Sequence, residues 1–373
     1  MTATEDKDIL YKLALAHLPG MRLVLAQQIL NKISSPEEFF TLDKRDLIHI
    51  FDSESKLFDT TLRNTVLEEA REELEWIRAN HVTPFYFTDN NYPQRLLQCD
   101  DSPVMIYVCG EPNLNPRHVI SIVGTRKATT YGVGFINKMI ADLESKLSDI
   151  LIVSGLAYGI DVTAHKAALA NSIPTVGVLA HGLNQIYPSQ HRGTAKEMLK
   201  NSGGLVTDYF HNAKIHQGNF LARNRIVAAM SDATIIVESA KKGGAMFTAR
   251  LASEYGRDVF ALPGRISDIY SEGTNQLIRN NIASVITSAD DLISSMMWKP
   301  DKEEGDQGQL FVAQNLSENE QKVIDIINMS GEVDTPTVAK ALSITIPQAM
   351  RLVSDMEFDG HIVAYPGGTY RIP

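Results

Sequence analysis

Residues Gly218 to Gly244 read GNFLARNRIVAAMSDATIIVESAKKGG. Arg223, Asn224 and Arg225 stand before an apolar segment, and a strand-like run, Thr234-Ile235-Ile236-Val237, follows. Lys241, Lys242, Gly243 and Gly244 then lead into a helix-like run from Met246 to Tyr255. Strand, glycine loop and helix in that order form the repeating unit of an α/β fold with a parallel sheet. From Lys214 to Arg257 seven basic side chains face three acidic ones, in a chain whose formal net charge is −10. A basic island on an acidic protein points to a local anionic ligand, because clustered Lys and Arg attract phosphates.

The same alternation extends from about residue 82 to 297. Val119–Val123 reads as a strand ending at Gly124, Ile150–Val153 as one ending at Ser154-Gly155, and Thr175–Ala180 as one ending at His181-Gly182. Gly204-Leu205-Val206 reads as a short edge strand; Val259–Leu262 and Ser284-Val285-Ile286 complete the set. The expected class is α/β, a mostly parallel sheet covered on both faces. Three loops leave strands and open helices: Gly124-Thr125-Arg126, Ser154 to Asp161 (with Gly155 and Gly159), and Lys241 to Gly244. In such sheets ligands sit at the carboxyl ends of the strands, near the switch in strand order. Free amides at helix starts attract anions, and Arg126 adds a forked, permanently charged donor. The three loops together, beside Arg223 and Arg225, make a phosphate-bearing ligand the favoured reading. Phe220 is either a face for base stacking or a core residue.

Two flanking modules are expected. Residues 1 to about 80 place leucines, valines and isoleucines at helical spacing, broken at Leu18-Pro19-Gly20. That turn resembles the one in SAM or helix-hairpin-helix modules, and the segment reads as packing rather than as a DNA-backbone clamp. Residues 300–317, charged and Gln-rich, read as a linker. Residues 318–373 read as three helices, Glu318–Met329, Thr335–Leu342 and Ile346–Asp359, then a hairpin turning at Gly367-Gly368. This is the pattern of a winged helix. The module carries four basic against eight acidic side chains, so it is not expected to be the main DNA reader.

Length and composition bound the rest. At 373 residues, 44% apolar and 21% charged, the chain can hold two or three globular domains. The start MTATEDKDIL lacks the pattern of a signal peptide, and no run is long and apolar enough for a membrane span. Cys99 and Cys109 form neither a zinc motif nor a disulfide framework, which suits a reducing cytoplasm. The spacing Gly124…Gly132-x-Gly134 is not GxGxxG, and no acidic residue closes the second strand to hold a ribose, which argues against NAD. No GxxxxGK[ST] occurs, so no nucleotide-driven motor is expected. Asp161 and His165 can meet on one helix face, but their expected role is structural, and His181, Tyr187 and His191 are expected to shape the pocket rim. No catalytic residue, cofactor or metal is expected. The competing classes are a nucleotide-processing enzyme on a similar fold and a winged-helix transcription regulator.

The ordered segments VGTRKATTYG (123–132), SGLAYGIDVTAHKAAL (154–169), VLAHGLNQIYPSQHR (178–192), NFLARNRIVAAMSDATIIVESAKKGGAMFTA (219–249), GRDVFALPG (256–264) and GTNQLIRNNIA (273–283) resemble the DNA-processing protein A family, DprA or Smf. The resemblance implies an α/β protein with an extended Rossmann-like core that binds single-stranded DNA, protects incoming strands during natural transformation, loads the RecA recombinase and forms homodimers through the central domain. It places the family's arginine loop on Gly124-Thr125-Arg126 and its RNR segment on Arg223-Asn224-Arg225. It places the family's serine-bearing loop on GGAMFTA, Gly243 to Ala249, where Thr248 is kept and two serines are replaced by Gly243 and Ala245. Tyr158 stands where the family often has a basic residue, adding an aromatic face in place of a charge. The glutamate-bearing PGGxGTxxE loop of the lysine-decarboxylase-like phosphoribohydrolases is absent: Thr248 is followed by Ala249, Arg250 and Leu251.

Overall fold

The computed structural model describes residues 3–302, 317–358, 361–365 and 368–372. It divides into two compact units, Met1–Glu304 and Gly305–Pro373. Most of the linker expected at 300–317 lies outside the described residues, as does Gly367 of the expected hairpin turn. Asp301 and Lys302 belong to the first unit: Asp301 accepts from Ser148 and Arg117, and Lys302 pairs with Glu144.

The first unit is built on nine strands: β1 (Val82–Tyr86), β2 (Met105–Gly110), β3 (His118–Val123), β4 (Ile150–Ser154), β5 (Thr175–Val178), β6 (Gly204–Thr207), β7 (Ala233–Ile236), β8 (Asp258–Ala261) and β9 (Ser284–Val285). They lie in the order β1-β2-β6-β5-β4-β3-β7-β8-β9. From β6 to β9 neighbours are parallel, while β2 and β1 add antiparallel to the β6 side. Strand β6 is therefore interior, which corrects the expectation that Gly204-Leu205-Val206 is an edge. Residues 82–110, unassigned from the sequence, supply the two outer strands. All of β6 is buried, as a strand flanked on both sides requires.

Strand β3 shows why both faces are covered. Val119 and Val123 pack into one apolar layer and Ile120 and Ile122 into the opposite one, the period of two of a pleated strand. The first layer takes helices α1 (Ala3–His17), α2 (Leu23–Leu30), α3 (Pro36–Thr41), α4 (Lys44–Phe51) and α5 (Thr60–Ala79) at the N-terminus. The opposite layer takes α6 (Thr130–Lys146), which follows β3, and α7 (Ile160–Ala170), which follows β4. Helix α8 (Arg192–Lys200) packs through Ala195 and Met198 with Leu156 and Leu205. Helices α9 (Gln217–Ala229), α10 (Gly244–Glu254) and α11 (Glu272–Arg279) return to the first layer, and α12 (Ala289–Ser295) closes the second.

The boundary expected near residue 80 is not a break in packing. The layer that holds Leu13, Phe39 and Leu47 is continuous with the one that holds Val119 and Val176. The main chain also crosses it: the Leu23 amide donates to the Ser102 carbonyl at 3.1 Å.

The second unit contains α13 (Glu318–Ser330), β10 (Val333–Asp334), α14 (Thr335–Leu342), α15 (Ile346–Phe358), β11 (Val363–Tyr365) and β12 (Thr369–Arg371). Its strands form an antiparallel sheet in the order β10-β12-β11. Val323, Ile327, Val338, Val353 and Met356 fill its core. Ser317 and Glu320 close a capping box at the start of α13. Among the described residues no helix is long and apolar enough to cross a membrane.

Candidate nucleic-acid interface

The chain runs outward from β3 through β4 and β5 to β6, then returns to place β7 on the other flank of β3. The switch in strand order is therefore between β3 and β7. At the carboxyl ends of these strands lies a cavity of about 350 Å³, lined by Gly124, Thr125, Arg126, Phe220, Arg223, Asn224, Ser239, Gly243, Gly244 and Thr248 among others. This is the position that doubly wound sheets offer to ligands.

The first two glycine loops interlock. The Ile160 amide donates to the Thr125 carbonyl at 3.1 Å. Gly159, at φ +74°, lies so close to that carbonyl and to Arg126 that a Cβ would overlap them. Only glycine meets both demands, the positive φ and the close approach. Asp161, 6% exposed, accepts main-chain N–H bonds from Ala157 and Gly155 in one loop and from Gly124 in the other. Its carboxyl is nevertheless pushed up from its ordinary value by burial, with the positive charge of Arg223 acting against that shift.

Arg223 forms part of the cavity floor but is held by the chain itself. It is 4% exposed, and its Nη1 donates to the Gly155 carbonyl at 2.7 Å and to the Val178 carbonyl. Its neighbour Asn224 lines the cavity and accepts from Arg223 Nε at 3.3 Å. Arg225 is directed elsewhere: it pairs with Asp208 and donates to the Asp101 carbonyl. Of the three arginines expected to converge on one ligand, Arg126 and Arg223 share the cavity lining and Arg225 does not. The reason is that Arg223 and Arg225 lie within α9, two residues apart, and such positions do not share a helix face. Ser154 is also absent from the lining. It is fully buried and donates to the Ile122 carbonyl at 2.6 Å.

The three glycine loops lead into α6, α7 and α10, and two of these helix starts are already occupied. The amide and hydroxyl of Thr129, which caps α6, both donate to the buried carboxylate of Glu238. The turn before α7 is filled by Asp161. Helix α10 has no side-chain cap; Gly243 precedes it and Gly244 opens it. The Met246 amide donates to the Gly243 carbonyl at 3.1 Å, so the amides of Gly244 and Ala245 and the positive end of the dipole are what this start presents. A Cβ at Gly243 would overlap Ser239 Oγ and require that hydroxyl to turn aside. Ser239, a lining residue that the sequence pattern did not single out, puts its hydroxyl beside Gly243.

Above the cavity Arg126 is exposed, with its guanidinium carbon 5.8 Å from the centre of the Phe220 ring. Phe220 belongs to none of the buried apolar clusters and meets the exposed Tyr187 ring at 5.7 Å. Tyr158, 40% exposed, sets its ring against His191 and donates from its hydroxyl to Gln190. A guanidinium and aromatic faces therefore share one rim. Lys242 is exposed, and Lys241 lies 3.8 Å from the Glu272 carboxylate. Replacing Phe220 by Leu is expected to weaken single-stranded DNA binding with little change in melting temperature. Phe220→Ala should do the same, and a stability loss with normal binding would instead make the ring a packing residue.

The nearby histidines are tied into the fold. Thr175 Oγ1 donates to the Ile152 carbonyl and accepts from His165 Nδ1 at 2.7 Å. His165 is fully buried, and desolvation pulls its pKa down to about 3, which keeps the ring neutral. His191 Nδ1 donates to the Leu156 carbonyl at 2.8 Å, and His181 Nδ1 to the Gly182 carbonyl at 2.9 Å. Among the described residues no group of three or more His, Cys, Asp or Glu side chains is placed to hold a metal ion.

Fold and site define an α/β protein with a cationic, aromatic-rimmed cavity at the switch point of its sheet. Residues 83–297 match the family model described as DNA recombination-mediator protein A, and the chain belongs to that family. It is 32% identical to Protein Smf of Escherichia coli over 287 residues, 75% of each chain. It is 35% identical to DNA processing protein DprA of Streptococcus pneumoniae over 210 residues, 56% of this chain and 73% of that one. The crystal structure of DprA from Streptococcus pneumoniae superposes with a TM-score of 0.64 at 27% identity, covering 79% of this chain and 98% of that one. A structure of DNA processing protein A from Helicobacter pylori, described for its unique single-stranded DNA binding mode, gives a TM-score of 0.52 at 29% identity, over 58% of this chain and 95% of that one.

Proposed function

We propose that this protein binds single-stranded DNA, with a backbone phosphate held between Arg126 and the open start of α10. The observation that carries this reading is the contrast between the three helix starts: two are filled by the chain's own carboxylates, and the third, beside an exposed guanidinium, is left for an external anion. Phe220 supports the choice of a single strand, since an aromatic face beside a phosphate site can stack an unpaired base whatever its identity. In this reading Gly124, Thr125, Asn224, Gly244 and Thr248 shape the phosphate site, Lys241 and Lys242 add field, and Arg223 positions the loops. The family relationship supports the larger role: a cytoplasmic homodimer that protects incoming strands and delivers them to RecA in natural transformation and recombination, without catalysis.

We further propose that the second unit is a winged helix that does not read the DNA. Helix α15 carries Asp355 and Glu357 against Arg351, which itself lies 3.8 Å from Asp355. A helix placed in a phosphate-lined groove needs cations to offset the backbone charge. Ending the chain after Glu304, at the division between the units, is expected to leave single-stranded DNA affinity at the level of the full chain. A folded truncated protein that has lost most binding would return the second unit to the centre and favour a regulator of duplex DNA.

A further inference from the structure

A second cavity, of about 940 Å³, adjoins the first. It lies between the start of α6 and the loop that follows β8. Its walls include Thr129, Tyr131, Glu238, Pro263, Ile269 and Tyr270, and Tyr270 also lines the first cavity. We infer that the single strand runs on from the phosphate site across Tyr270, and that this second cavity receives one of its bases. The inference rests on the single-stranded DNA reading proposed above.

Three observations point to a base there. The first is charge. The phosphate cavity has Arg126 and Arg223 in its lining, whereas the second carries Asp268 and the carboxylate of Glu238. Two acids against Arg265 alone disfavour a phosphate but tolerate an uncharged ring. The second is exposed apolar surface. Tyr131 is 53% exposed, Ile269 60% and the adjoining Ile266 94%. Such surface gathered beside a polar site marks a place where a ligand is bound. The third is order in the wall. Tyr131 Oη donates to the Pro263 carbonyl at 2.8 Å, and Asn275 bonds both the amide and the carbonyl of Gly264. The Ser239 amide donates to the Tyr270 carbonyl at 2.6 Å, which fixes the wall between the two cavities. A nucleobase would therefore meet a preformed surface, and little of its stacking energy would be lost to ordering the loop.

The experiment is a titration of the full chain with oligodeoxythymidylates of increasing length, read by fluorescence anisotropy, for the unaltered protein and for Tyr131→Ala, Tyr131→Phe and Ile269→Ser. Loss of one stacked base is expected to weaken binding of the longer oligonucleotides about tenfold for Tyr131→Ala, with the salt dependence unchanged because no phosphate contact is removed. Ile269→Ser should weaken the same lengths. Tyr131→Phe, which keeps the ring and loses the bond to Pro263, should bind like the unaltered chain. The shortest oligonucleotides, which fill only the Arg126 cavity, should not distinguish any of them. A 2-aminopurine moved along the oligonucleotide should show a quenched position that Tyr131→Ala relieves and Phe220→Ala does not. If the unaltered chain binds oligonucleotides and Tyr131→Ala matches it at every length, or if Tyr131→Phe is as weak as Tyr131→Ala, this inference falls and the single-stranded DNA reading stands. If the unaltered chain binds no oligonucleotide, both fall.

Discussion

Arg223→Met is expected to destabilise the first unit by roughly 1–3 kcal/mol for each buried carbonyl left without its donor. Arg223 and Asp161 are 4% and 6% exposed, and each is the other's main opposing charge. Burial lowers the pKa of the guanidinium and raises that of the carboxyl, so both charges are held against a desolvation cost. Methionine fills similar space but leaves Asp161 without its countercharge and the Gly155 and Val178 carbonyls without their donor. The pH dependence has a definite sign. A carboxyl whose folded-state pKa is raised binds more protons in the folded chain than in the unfolded one, so folding is favoured as pH falls through that interval and loses stability as pH rises. Loss of Arg223 should widen the interval, and the deficit of Arg223→Met should shrink on acidification. Urea denaturation at several pH values measures it. A variant as stable as the parent at neutral pH would show that Arg223 is not a strut. Arg223→Lys should recover little, because an ammonium cannot reproduce the forked donation to two carbonyls.

Arg126→Glu should have the largest effect on binding with almost none on folding. Arg126 is exposed and makes no hydrogen bond that holds a loop in place. Reversing its charge places a carboxylate where the phosphate is proposed to lie, beside the α10 start that depends on positive potential. Binding should weaken for every oligonucleotide sequence alike, because phosphate contacts carry no base information. The melting temperature should stay at the parent value, which separates this arginine from Arg223 although the two lie at the same cavity.

Much of this arrangement is legible in the sequence, and the failures have physical causes. Strands β3 and β4 are apolar runs followed at once by Gly124 and Gly155, and β7 is an apolar run ahead of Gly243-Gly244, so these strands and the loops after them are visible without coordinates. The position of the cavity follows from strand order, which local pattern does not supply. Strand β1 includes Pro84, and β1 and β2 join the sheet antiparallel with no α-helix to follow them, so the strand–loop–helix alternation does not reveal them. Missing them turned β6 into an apparent edge.

The arginines illustrate a different limit. Charge counting treats Arg126, Arg223 and Arg225 alike, yet one is at the surface, one is a buried strut and one serves another part of the unit. Two residues of spacing on a helix would have separated Arg223 from Arg225, had the helix been drawn to include them. Glu238 counts in the sequence only as an acid that offsets the local positive charge. In the structure it fills the start of α6 and leaves α10 as the open one. No charge tally reports which helix start a carboxylate occupies.

The central claim, a phosphate held by Arg126 at the start of α10, is tested most directly by the salt dependence of single-stranded DNA binding. The slope of log affinity against log salt concentration should be negative for the unaltered chain. In Arg126→Gln it should be less steep by about 0.7, the share of one single-strand phosphate contact. An unchanged slope and an unchanged affinity in the variant, with binding by the parent intact, would contradict the account.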